Sequence, residues 1–292
     1  MRRPVTALAL GGLTPRSEGR FLLIVVATGR DRHSGDRSPH SKGMSPITDA
    51  DRLVMRARPA GRPIMYQNWG RLLFMHWRID PQLLRPLIPA PLQIDTFDGS
   101  AWIGVVPFTM WGIRASFLPA IPGNSAFHEL NVRTYVHHRG VPSVWFFSLD
   151  AANRLAVWGA RAFYHLPYFN AQMSLAQTGN TIRYSSVRKD KRGAPAEFQA
   201  NWIIGETLPT ALPGSLDSFL TERYCLDTEH KGRLYRSRIH HQPWPLQKAE
   251  LNKLDSSMIE SHGLPTPKGD PLLHYCEELS VEIWRLKEIQ RI

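Results

Sequence analysis

The sequence predicts an α+β fold that is mainly β, an antiparallel barrel with a few peripheral helices. Three observations carry that expectation. Runs of strand length rich in aromatic and β-branched residues recur along the chain, short glycine-containing turns join several of them, and helical patterns are few. Sequential hairpins leave exposed edges unless the sheet closes on itself, so closure or strong curvature is the expected solution.

Taken in order, strands are expected at "GRLLFMHWRI" (70–79), "LQIDTF" (92–97) and "SAWIGVVPFTMWGI" (100–113), with Asp98-Gly99 as a hairpin turn. Between the first two, "RPLIPAPL" reads as a helix exit and an extended link. "ELNVRTYVHH" and "VPSVWFFSLD" form a second hairpin, 129–150, about Arg139-Gly140. Asp150 is then the expected N-cap of a helix over 151–164, ended by Pro167, which biases Leu166 away from helical angles. "AQMSLAQTGNTIRYSSVR" turns at Thr178-Gly179-Asn180, and "RKDKRG" (188–193) is expected as an exposed tip before "PAEFQANWIIGE". A helix near "SLDSFLTERY", capped by Ser215, places Phe219, Leu220 and Tyr224 inside. The last strands fall around "RLYRSRIHH", "WPLQKAEL" and "LLHYCEELSVEIW". Trp102, Trp111, Trp145 and Trp158 lie in apolar segments and are assigned to the core.

At 292 residues with 42% hydrophobic content the chain can bury a sizeable core. No repeat and no Gly/Ser linker divides it after about residue 60, so 61–292 reads as one domain. Residues 1–60 read as a disordered or mis-started N-terminal extension: the apolar run 21–27 is too short to span a bilayer, and Met44 is an alternative start. Residues 1–43 hold eight Lys/Arg against three Asp/Glu, so five of the eleven excess positive charges sit there. The remaining excess forms no basic helix or aromatic-interleaved groove, which argues against nucleic acid as a partner. Neither is a membrane partner expected. Two cysteines, Cys225 and Cys276, make no disulfide framework and read as small buried residues of a reducing compartment, hence a cytoplasmic protein.

The hairpin 129–150 carries the candidate site. Strand alternation puts Glu129, Asn131, Arg133, Tyr135 and His137 on one face, while the partner "VWFFSL" is apolar on both faces and needs cover on both sides. A polar row beside a fully covered strand is expected at least partly inside, where charges must be paired or bound to something. Glu129 and Arg133 stand roughly 13 Å apart along a strand, too far to neutralise each other fully. Arg161, Arg183 and a bound organic acid are the candidate counter-groups, and an ordinary solvent-facing row is the competing reading. His76 on the first strand is a further candidate for the same face, against a structural hydrogen-bonded role. The adjacent pairs His137-His138 and His240-His241 point to opposite faces and cannot chelate one metal locally. No HExxH, CxxC, GxGxxG, Walker or GxSxG pattern occurs, so neither metal nor cofactor is expected.

The blocks "LLFMHWRIDPQLLRPLIPAPLQIDTFDGSAWIGVVPF", "ELNVRTYV", "FFSLDA" and "GARAFYHLPYFNA" resemble the YqjF-like family, part of the acetoacetate decarboxylase-like superfamily, over about 66–284. The resemblance implies a single antiparallel barrel with an interior cavity. It also implies a comparison at one corner, because the decarboxylases carry Arg-Glu, two residues, Gly, an aromatic, Pro and two lysines, the first forming the Schiff base. Here Arg161 and Pro167 match, Ala162 replaces the glutamate and His165 the glycine, and Tyr168 and Phe169 stand where the lysines would be. Neither forms an imine. Glu129 resembles the cavity glutamate of those enzymes.

The expected function is therefore binding of a small organic acid or ketone-like metabolite in the barrel. Arg133, Arg161, Asn131, His76 and Arg183 are candidate binding residues; Glu129 and Tyr168 are candidates for acid/base, lyase-like chemistry without a lysine imine. A non-catalytic ligand-binding or scaffold protein is the alternative, and a true decarboxylase the third reading. Homo-oligomerisation is left open.

Overall fold

The structure, a computed structural model, describes residues 47–117 and 126–292. Thirteen strands of the described residues form one sheet: β1 (Met65–Ile79), β2 (Gln93–Ile94), β3 (Ala101–Ala115), β4 (Phe127–His138), β5 (Val141–Ala151), β6 (Tyr168–Thr178), β7 (Thr181–Arg188), β8 (Glu197–Thr207), β9 (Cys225–Glu229), β10 (Arg233–His240), β11 (Gln247–Ser256), β12 (Leu272–Ile283) and β13 (Lys287–Arg291). The helices are α1 (Asp49–Arg56), α2 (Pro81–Leu84), α3 (Arg154–Tyr164) and α4 (Leu216–Thr221). The strand order is β13-β10-β9-β5-β6-β7-β8-β11-β12-β1-β3-β4-β2, with further pairings of β4 to β5 and β10 to β12. Strand dominance is as expected; uniform antiparallel pairing is not. β5 runs parallel to both β6 and β9, so the sheet is mixed. The β5–β6 case follows from α3, since a parallel neighbour requires a crossover and a helix supplies it.

The turn chemistry sets three hairpins. Asp98 and Gly99 both have positive φ (50° and 73°), as do Arg139 and Gly140 (52° and 78°), matching the backbone twist of the flanking strands. The first joins only the bridge Phe97–Ser100, because β2 pairs with β4 and not with β3. The second sets β4 against β5 from His138–Val141 to Glu129–Ala151. The third joins β6 to β7 at Thr178–Thr181.

β1 shows why the middle of the sheet is covered on both sides. Leu73 and Met75 join one apolar cluster with Val105, Leu130, Val132 and Trp202, whereas Leu72 and Phe74 join another with Val106, Phe108, Met110 and Trp244. All of β4 from Glu129 to His138 is buried between such layers.

Several local expectations are corrected. Asp150 is not a helix cap; it belongs to β5, is fully buried, and pairs with Arg188, while Asn153 caps α3 by accepting from the Leu155 and Ala156 amides. Arg188 accordingly leaves the exposed tip, of which Lys189, Lys191 and Arg192 remain at the surface. Trp158 is 58% exposed on α3. Within the stretch expected as an extension, residues 49–56 form α1, closed by a reciprocal Thr48–Asp51 cap and tied to the domain by an Arg52–Asp95 ion pair of 2.7 Å. The rest of the expected extension up to residue 46 lies outside the described residues. Ser215 caps α4 and Phe219, Leu220 and Tyr224 are buried, as expected, and both cysteines are buried and free. Among the described residues no helix is long and apolar enough to cross a membrane.

Candidate functional site

The polar row of β4 is inside. Glu129, Asn131 and Arg133 are 2%, 5% and 9% exposed, which excludes the solvent-facing reading. Alternation aims them, with Tyr135, at the side of the sheet that carries Phe74 and His76 of β1 and Val106 and Phe108 of β3.

Glu129 meets Tyr168, not Arg133. The Tyr168 hydroxyl donates to Glu129 Oε2 at 2.7 Å. Burial pushes the Glu129 carboxyl up to about 8, with the nearby Asp150 adding to the rise and the Tyr168 hydrogen bond opposing it. At neutral pH Glu129 is therefore protonated. Burial, with the Glu129 charge behind it, holds the Tyr168 phenol well above its ordinary value. Tyr184 fixes the backbone here, its hydroxyl donating to the carbonyls of Glu129 (2.8 Å) and Phe108 (3.2 Å).

Tyr168 reaches that position because α3 ends cleanly. His165 adopts a left-handed φ of 54°, the conformation for which the decarboxylase pattern has glycine, and its amide bonds Ala160 O. Leu149 N then bonds Pro167 O, which docks the chain beside β5 and starts β6 at Tyr168. Arg161 braces the corner through its Nη1 to the Tyr168 carbonyl, 2.9 Å. It makes no ion pair with Glu129 among the described residues. Phe169 lies under the Arg188 guanidinium, 4.4 Å from ring centroid to carbon.

Arg133 has no carboxylate partner among the described residues. Its Nη2 donates to Tyr135 Oη at 3.3 Å and weakly to Leu220 O at 3.5 Å, its guanidinium lies 5.0 Å over the Phe74 ring, and its Nε has no hydrogen-bond partner. Nearby arginines do: Arg223 and Arg52 share Asp95, and Arg188 holds Asp150 through 2.7–3.1 Å contacts. His76 bonds Tyr135 Oη through Nε2 at 2.6 Å, and burial with the Arg133 charge holds it well below the usual histidine range. Asn131 Oδ1, between Glu129 and Arg133, is buried without a partner.

The structure thus brings Glu129 and Tyr168 into contact, and sets Asn131, Arg133 and His76 along the same interior face. Arg161 touches the site through backbone. Arg183 does not join it: it is exposed, on the opposite face of β7 from Tyr184. The two surface hollows, about 260 Å³ beside α1 and α4 and about 240 Å³ beside Pro167, are lined by none of these residues. Residues that sequence reasoning left out are Tyr184, the Asp150–Arg188 pair and His274, all set by pairings remote in sequence. Among the described residues no group of three or more His, Cys, Asp or Glu is placed to hold a metal ion.

The mixed, strand-dominated sheet has the acetoacetate decarboxylase-like fold. It superposes on the enduracididine biosynthesis enzyme MppR complexed with pyruvate (TM-score 0.56, 11% identity, 79% of this chain and 92% of MppR). It likewise superposes on an acetoacetate decarboxylase-like enzyme from Sphingomonas wittichii RW1 (TM-score 0.54, 13% identity, 80% and 95%). Residues 66–280 match the family of uncharacterized conserved proteins DUF2071, and the uncharacterized protein YqjF of Bacillus subtilis (strain 168) is 46% identical over 230 residues, 79% of this chain and 94% of YqjF. The chain belongs to this YqjF-like family.

Proposed function

We propose that the chain binds a small carbonyl-bearing organic acid in the interior of a barrel-like sheet and moves protons on it through Glu129 and Tyr168, without a lysine imine. The observation that carries the reading is a buried arginine lacking an anionic partner on the same strand face as a protonated glutamate. A carboxylate satisfies Arg133, including its free Nε, by paired hydrogen bonds. Four strand residues, roughly 13 Å between Cα atoms, separate Arg133 from Glu129, a span along which an acid held at Arg133 points its far end toward Glu129. A carboxyl that titrates near 8 is well matched to proton transfer near neutral pH, and Tyr168 stabilises its ionised form by donating to it. The complex of the fold relative MppR with pyruvate is compatible with an acid of this size.

The step proposed is removal of a proton from the carbon next to the ligand carbonyl by ionised Glu129, with return of a solvent-derived proton. Pyruvate in deuterated water, followed by NMR of its methyl signal, tests it. Exchange above the buffer rate, rising with pH through about 8, is expected. Glu129→Gln should bind pyruvate and lose exchange, and Arg133→Ala should lose binding. Exchange undiminished in Glu129→Gln refutes the assignment, and a borohydride-trapped lysine adduct refutes the imine-free mechanism. A second reading, binding without turnover, is favoured by the aromatic packing of Trp69, Phe74, Phe108 and Trp244 around the site. Binding without exchange in the wild type would select it.

A further inference from the structure

The interior face beside Arg133 also carries two imidazoles whose proton positions are fixed by their partners. Tyr135 Oη lies 2.6 Å from Leu220 O, and a carbonyl has no hydrogen, so the phenolic proton occupies that contact. Tyr135 Oη must then accept from His76 Nε2, which makes His76 the Nε2–H tautomer and its Nδ1 a lone pair. His274 Nε2 lies 3.0 Å from Asp217 Oδ1, so it too carries its proton on Nε2 and a lone pair on Nδ1. Burial keeps both rings neutral. They are 1% and 3% exposed, and neither Nδ1 has a hydrogen-bond partner among the described residues.

The two rings belong to one locality, close enough for a charge on His274 to act on His76. A Cβ at Gly104 of β3 would stand 2.9 Å from both Cδ2 and Nε2 of His76, so that edge of the ring faces β3. The other neighbour of β1 is β12. There Phe74 stands opposite His274 and His76 opposite Leu272, placing the two histidines diagonally on one face. Phe74 links them to the anion-binding group, since its ring is 5.8 Å from that of His76 and 5.0 Å from the Arg133 guanidinium carbon.

Two buried acceptors beside one unpaired guanidinium define a ligand chemistry. Each buried acceptor left without a donor is costly, so the site favours a molecule that brings donors. An ammonium is disfavoured, because Arg133 and Arg223 already act against positive charge at His76. Neutral donors remain, of which the hydroxyl is the simplest that a small acid carries. We propose that His76 and His274 form a two-acceptor subsite for hydroxyl groups, so that the carbonyl-bearing acid held by Arg133 also carries hydroxyls. The inference rests on the carboxylate reading of Arg133 given above.

Propionate, lactate and glycerate share a three-carbon carboxylate skeleton and carry zero, one and two hydroxyls. Calorimetric titration of the full chain should show affinity rising along that series, by tenfold or more from propionate to glycerate. Glutamine retains a donor near the Nε2 position and removes the Nδ1 acceptor, so His76→Gln and His274→Gln should keep propionate binding while each erases much of the hydroxyl preference. Equal affinity for the three acids, or a preference unchanged in both variants, overturns the proposal. Failure of all three acids to bind refutes the carboxylate reading instead. Nitrogen-15 NMR of the imidazoles separates the two failures: both rings must be Nε2–H tautomers with acceptor-type Nδ1 signals, and an Nδ1–H tautomer at either residue overturns the subsite whatever the acids do.

Discussion

Glu129 ties stability to pH in a direction opposite to that of a paired carboxylate, and replacing it by glutamine measures the effect. In the unfolded chain the carboxyl titrates at 4.5; in the fold, burial pushes it up to about 8. Between those values the native state holds a proton that the unfolded state has lost, so stability falls as pH rises. The contribution is fully present below pH 4.5 and is gone above about 8. At 1.36 kcal/mol per pH unit, the span corresponds to about 5 kcal/mol. Glu129→Gln keeps an amide oxygen for the Tyr168 hydroxyl and removes the titration, while Asp150, His76 and every other ionisable group stay in place. The difference between wild type and variant therefore isolates this one carboxyl. Urea unfolding followed by tryptophan fluorescence at pH 5, 6, 7, 8 and 9 should show the wild type losing ground to the variant by about 3 kcal/mol from pH 5 to 7, with a plateau past pH 8. A difference that stays constant across the series shows that Glu129 titrates alike in both states. A wild type that gains on the variant shows an ionised, counter-ion-paired Glu129, and either result refutes the reasoning.

Three further outcomes follow from the same geometry. Tyr168→Phe removes the hydrogen bond that opposes burial, so the Glu129 midpoint, read from its carboxyl infrared band, should move above that of the wild type by roughly 1–2 pH units; a downward move contradicts the donor role. Arg188→Met leaves the fully buried Asp150 unpaired and should cost about 3–5 kcal/mol in urea unfolding, whereas Asp150→Leu combined with Arg188→Met should recover much of it; additive losses would show that the pair is not coupled. Gly104→Ala drives a methyl to 2.9 Å from His76 and should destabilise by about 1–3 kcal/mol, and a change within about 0.5 kcal/mol would mean the ring has room to retreat.

What the sequence made legible were features carried by neighbours in the chain. Turn residues at 139–140 and 179–180 announced their hairpins, those at 98–99 announced a turn that closes only the Phe97–Ser100 bridge, and alternation along β4 against an apolar β5 announced a buried polar row. Two of the misreadings share one cause. Asp150 stands close before a helix and resembles a cap, yet its partner, Arg188, is 38 residues away. The same distant pairing removes Arg188 from a basic cluster that otherwise looks solvated. His76, Tyr135 and Leu220 meet across separations of 59 and 85 residues, which no local pattern encodes. The apolar segment around Trp158 points it inward, but α3 presents it outward together with Phe163, edge to face at 5.8 Å. The parallel pairings were missed because hairpin counting says nothing about a helix that returns the chain to the starting end of the sheet.

The corner at Tyr168 links these levels. α3, the left-handed His165 and Pro167 deliver the side chain at the start of β6 onto Glu129, and that delivery is a property of the backbone, independent of which side chain is delivered. The side chain instead decides the charge of its neighbour. An ammonium within hydrogen-bond reach of Glu129 would favour the carboxylate, as an opposite charge at that distance does. A phenol offers only a hydrogen bond, and against complete burial that is insufficient, so the carboxyl keeps its proton to about pH 8. A tyrosine at this corner therefore does more than leave out an imine-forming amine. It leaves the buried glutamate as a group that titrates near neutrality, on the same strand face as an arginine without a carboxylate partner among the described residues.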